Sequence, residues 1–130
     1  MKKALLALFV VLSLALVACG GGTEGDTPES YKVGVVGPLT GDAAEYGEMV
    51  AQTVQMVADQ INEAGGVDGV PLEIIAEDGK CEGKTAVSAA QKLMSVDGVE
   101  VILGGACSGE SLAVAPLANE NQVLLISATS

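Results

Sequence analysis

Short apolar runs alternate with longer amphipathic ones along most of this chain. The run KVGVVGPL (32–39) is rich in β-branched residues and predicts a buried strand. In the next segment, GDAAEYGEMVAQTVQMVADQINEAGG, apolar residues fall at Tyr46, Met49, Val50, Val54, Val57, Ile61 and Ala64. That is a period of about 3.6 residues and predicts a helix, with Asp42 placed to cap its start and Gly65–Gly66 to end it. VPLEIIAED (70–78) predicts a second strand, GKTAVSAAQKLMS (83–95) a second helix and GVEVILGG (98–105) a third strand. SGESLAVAPLANEN (108–121) predicts a third helix, bent or split at Pro116, which has no N–H for the ladder. QVLLIS (122–127) predicts a fourth strand. The β-α-β-α-β-α-β order predicts an α/β fold, a parallel sheet with helices on both faces. A sheet that closes on an apolar strand without a covering helix is incomplete, so the fold is expected to continue past Ser130.

The N-terminal 18 residues break this alternation. Lys2 and Lys3 precede 15 weakly polar to apolar residues (4–18). A membrane span needs about 20, so the run predicts an export signal, with a short anchor helix as the alternative. Leu16-Val17-Ala18-Cys19 resembles the bacterial lipobox. That resemblance implies cleavage before Cys19, a diacylglycerol on its thiol and acylation of the new amine, which together give stable anchoring. GGGTEGDTPES then predicts a flexible tether. The expected divisions are a lipoprotein signal (1–18), a tether (19–30) and a folded lobe (31–130).

Composition narrows the partners. The 130 residues are 49% hydrophobic and 18% charged, which predicts one folded domain at most. Six lysines, no arginine and 17 carboxylates give a net charge of −11, which argues against nucleic acid as a partner. Removal of residues 1–18 would leave 4 − 17 = −13, so the lipid and not the acidic body would hold the chain to an anionic leaflet. The absence of histidine removes the commonest general base and a common zinc ligand.

Ligands of open parallel sheets bind beyond the carboxyl ends of the strands. The chemistry-bearing loops there are GPLTGDAAEYG, EDGKCEGK, GGACSGES and SATS. GKCEGKT has three residues between Gly79 and Gly83 where a phosphate loop needs four, and Glu82 would oppose a phosphate. GACSG has the form of a nucleophile elbow with Cys107 as nucleophile, but a cysteine hydrolase also needs a base. Cys81 and Cys107 lack the spacing of a metal site. In an exported domain they could instead be bridged across the sheet edge, for about 3 kcal/mol of stability, or remain two free thiols. Ser108 precedes the third helix and is either its cap or a donor to a small carboxylate. Tyr46 could face a ligand or staple the first helix. Ser127, Thr129 and Ser130 could be ligand donors or turn residues.

VGVVGPLTGDAAEYGEMV, INEAGGVDGVPLEII and DGVEVILGGACSGESLAVAPLANENQVLLISATS resemble the leucine/isoleucine/valine-binding family of ABC-importer solute-binding proteins. The resemblance covers nearly all of residues 32–130. It implies two Rossmann-like lobes joined by a hinge, of which this chain holds part of the first. It implies a Cys81–Cys107 disulfide, a ligand contact from Ser108, an aromatic wall from Tyr46, and head-group contacts from Thr129 and Ser130. The carboxylate for a ligand ammonium would come from the second lobe. Implied partners are an amino acid or similar small solute, a membrane permease and the lipid anchor. The protein would be a monomer on the extracytoplasmic face, with no cofactor, no metal and no catalytic residue. The alternatives are the cysteine hydrolase and a ligand-sensing ectodomain of the same fold.

Overall fold

A computed structural model describes residues 28–127. The expected signal, Cys19, most of the tether, Thr129 and Ser130 lie outside the described residues. Four strands, β1 (Tyr31–Gly37), β2 (Leu72–Asp78), β3 (Val101–Gly104) and β4 (Leu124–Ile126), form one parallel sheet in the order β2-β1-β3-β4. Three helices connect them, α1 (Ala44–Glu63), α2 (Gly83–Lys92) and α3 (Ser108–Glu120). The path steps one way from β1 to β2 and the other way from β2 through β3 to β4. Right-handed crossovers therefore put α1 on one face and α2 and α3 on the other.

Strand alternation divides the apolar residues between these faces. Val36 and Ile102 join Ala86, Ala89, Ala90, Leu93, Val114 and Ala118 in the buried core under α2 and α3. The small alanines let the two helices sit close to the sheet and to each other. Val33, Ile74 and Leu103 lie on the α1 side, where they line an apolar groove with Val54, Ala58 and Ile61. No described element covers β4 on this side, and Leu124 and Ile126 are 56% and 47% exposed.

Local chemistry sets the element ends. α1 stops at Glu63, with Gly65 and Gly66 at positive φ, and Asn62 then bonds β2 twice: its side chain donates to Leu72 O (2.9 Å) and accepts from Leu72 N (2.7 Å). Val67 and Val70 exchange backbone bonds across Asp68-Gly69, a two-residue turn with both central residues at positive φ. α2 widens into a π-helical turn (Leu93–Asp97) that buries Leu93 before Gly98 ends it in the left-handed region.

Three expectations are corrected here. The N-cap of α1 is Ala43, and Asp42 makes no cap because it lies a residue earlier in an exposed turn. The N-cap of α3 is Cys107, so Ser108 is the first residue of the helix and not its cap. α3 is not split at Pro116 but runs through it as one helix. The carbonyl that Pro116 leaves without an N–H partner belongs to Leu112, which is 75% exposed and open to solvent.

Candidate functional site

The strands end level at their carboxyl edge, where Val36 pairs with Gly104 and Gly37 with Asp78. Backbone bonds carry that alignment into the loops, from Gly79 N to Gly37 O (2.8 Å) and from Gly105 N to Val36 O (3.2 Å). Three loops therefore meet at one edge: 38–43, 79–82 and 105–107.

Loop 38–43 is seated by α1 and by β2. Pro38 is fully buried, and Gly47 lies so close that a Cβ there would fall on the Pro38 carbonyl. Asp78 fixes the rest of the loop. Its carboxylate accepts from Leu39 N (2.8 Å), Thr40 N (3.3 Å) and the Thr40 hydroxyl, and also from Lys80 N (3.0 Å). Burial pushes its pKa up, but the Thr40 hydroxyl and the Leu39, Lys80 and Thr40 amides outweigh this and hold the carboxyl below its ordinary 3.8.

Loops 79–82 and 105–107 are joined twice. Cys81 and Cys107 form a disulfide with Cα atoms 5.4 Å apart. Beneath it the fully buried Glu110 accepts from Cys81 N (3.0 Å) and from Cys107 N (3.0 Å). The disulfide leaves no free thiol at the elbow, so the hydrolase reading loses its nucleophile. Gly105 O accepts from the Ser111 hydroxyl (3.1 Å) and the Ser127 hydroxyl (2.9 Å), which ties β4 to the same loop.

This arrangement presents Ser108 and Gly109, both exposed, as the first residues of a 13-residue helix. The first amides of a helix have no intrahelical acceptor and carry partial positive charge. Such an end can take a small carboxylate. Tyr46 stands in the first turn of α1, 40% exposed, in a groove with Asp42, Glu45 and Met49. Met49 also borders an apolar groove of about 360 Å³ that includes Gly105, Ala106, Ile126 and Ser127. The two grooves thus adjoin, but Ser108 lines neither. Asp78 and Glu110 were not among the sequence candidates. The Cys107-x-x-Glu110 spacing of a capping box was the available signal for Glu110, and Asp78 offered none. Among the described residues no acidic or cysteine cluster could hold a metal, and no helix is long and apolar enough to cross a membrane.

A parallel sheet flanked by helices, with a helix N-terminus at its carboxyl edge, defines a Rossmann-like α/β lobe. Residues 30–130 match the periplasmic binding protein family, and the chain belongs to it. It is 34% identical over 115 residues to the leucine-, isoleucine-, valine-, threonine- and alanine-binding protein of Pseudomonas aeruginosa, covering 88% of this chain and 31% of that protein. It is 31% identical over 124 residues to the Leu/Ile/Val-binding protein of Escherichia coli K12, covering 95% and 31%. The chain therefore spans under a third of the length of these relatives. Among solved structures, the substrate-binding protein LivJ of a Streptococcus pneumoniae branched-chain amino acid transporter, in complex with isoleucine, superposes with a TM-score of 0.74 at 33% identity, covering 77% of this chain and 29% of that one. A solute-binding protein from Rhodopseudomonas palustris, in complex with 3,4-dihydroxybenzoic acid, gives 0.71 at 28%, covering 78% and 28%.

Proposed function

We propose that this chain forms one wall of an extracytoplasmic solute-binding site, non-enzymatic, whose ligand is a small carboxylate and foremost a branched-chain amino acid. A second lobe would close over the ligand, and the closed form would deliver it to an ABC permease. The carrying observation is the exposed Ser108–Gly109 helix end, held at the sheet edge by the disulfide and Glu110. The ligands named for the two structural relatives, isoleucine and dihydroxybenzoic acid, share a carboxylate and little else. A site that grips the carboxylate through amides and a serine hydroxyl suits both. Tyr46, Thr129 and Ser130 are assigned to the rim of the same site on the family resemblance. Lipidation of Cys19 would anchor the protein, as a monomer, through the tether.

Shift mapping of amide resonances tests the site. Isoleucine titrated into the chain is expected to move the Ser108 and Gly109 amides with half-saturation at about 1 mM or weaker, because half the contacts belong to the second lobe. Isoleucinamide, which lacks the carboxylate, should leave them in place. Unmoved amides with isoleucine, or equal movement with isoleucinamide, overturn the carboxylate site. Micromolar binding by calorimetry would contradict the shared two-lobe site. Tighter binding of 3,4-dihydroxybenzoate at the same amides would assign the ligand to the aromatic acids.

A further inference from the structure

Glu110 is the one charged side chain among the described residues that is fully buried, and the ligand contacts proposed above do not include it. Its two oxygens face different loops. Oε1 accepts from Cys81 N and Oε2 from Cys107 N, each at 3.0 Å. It thus bonds the amides of the same two residues that the disulfide joins through their sulfurs. Cys81 and Lys80 both stand at positive φ, which non-glycine residues seldom adopt and which persists where the surroundings hold it. Asp78 holds that turn from one side through Lys80 N, and Glu110 holds it from the other. The space is shaped for this, since a Cβ on Gly79 would fall on Oε1 of Glu110.

We propose that Glu110 is a positioning residue, a non-covalent crosslink that clamps loops 79–82 and 105–107 in register beside the disulfide. Two consequences follow from one linkage. Reduction of Cys81–Cys107 leaves the loops assembled, because the carboxylate still spans them. The clamp also favours closure of the disulfide by the same factor by which closure favours the clamp. The proposal rests on the solute-binding site proposed above only for its purpose, since none of its tests uses a ligand.

Amide hydrogen exchange and a thiol–disulfide equilibrium test it on the 130-residue chain. In the native chain the Cys81 amide should be protected although the residue is exposed. Exchange there at the rate of an unstructured peptide overturns the proposal without any variant. With the disulfide intact, Glu110→Ala should speed exchange at the amides of Cys81 and Cys107 about ten- to a hundredfold while Ile102 stays unchanged, the loss expected for charged acceptors. Glu110→Gln fills the same space but offers one acceptor oxygen, so it should restore protection at one of the two amides. Restoration of both by Gln would show a space-filling role and overturn the clamp. In equilibrium with dithiothreitol, Glu110→Ala should shift the disulfide toward the dithiol by about tenfold. An unshifted equilibrium overturns the linkage. If Glu110→Ala does not fold, the native-chain measurement and Glu110→Gln still decide.

Discussion

Asp78 does at residue scale what no single element could. It is the last residue of β2, yet its carboxylate orders a loop 38 and 39 positions away through Leu39 and Thr40. The three amides all donate to one carboxylate oxygen and the Thr40 hydroxyl to the other. Asp78→Asn therefore keeps an acceptor for the amides but loses its charge, and should cost about 0.5–1.5 kcal/mol in urea unfolding. Asp78→Ala, which removes every acceptor, should cost about 1–3 kcal/mol. Its acid dependence has a definite sign. The folded carboxyl lies below its ordinary 3.8, so its contribution is complete above that value and is lost as pH falls through the folded pKa. The acid limb of a stability curve below about pH 4 should therefore be shallower in Asp78→Asn than in the parent chain. A limb of unchanged slope would remove the carboxylate from the loop's stability. Neither Asp78 nor Glu110 stood out in the sequence, because the role of each is set by a partner loop that only the folded sheet brings near. Ser108 and the two cysteines did stand out, because strand–turn–helix order alone places them at the carboxyl edge.

The elements themselves were legible because their periods differ. β-branched runs and the 46–64 repeat cannot exchange roles without exposing their apolar sides. The ends were less so, since capping depends on geometry within one residue. Ala43 and Cys107 took cap positions expected of Asp42 and Ser108. The π-helical turn after α2 was invisible in the pattern, because burial of Leu93 against Gly34 and Val99 is a tertiary demand. Two α1 positions carry measurable predictions. Asn62→Ala removes both bonds to Leu72 and should cost about 1–3 kcal/mol. Gly47→Ala would ordinarily favour a helix by about 1 kcal/mol. Here it should instead destabilise, because its Cβ must displace the buried Pro38 carbonyl. A stabilised Gly47→Ala chain in thermal unfolding would show that loop 38–43 is not seated on α1.

At the scale of the molecule the two faces of the sheet are unequal. The face under α2 and α3 holds the core, and Ile102 within it has no exposure. On the other face α1 reaches β1 and β2, while the reversal of direction after β2 sends both later crossovers to the far side. Leu124 and Ile126 on β4 are consequently half-exposed among the described residues. Position therefore outweighs residue type in what a substitution costs. Ile102→Ala should destabilise the 130-residue chain by about 2–5 kcal/mol, the range for emptying a closed core site. Ile126→Lys, which also removes an apolar side chain from the same sheet, should change stability by about 0.5 kcal/mol or less. A loss for Ile126→Lys comparable to that for Ile102→Ala would mean that this half of the sheet is already covered in the chain as it stands.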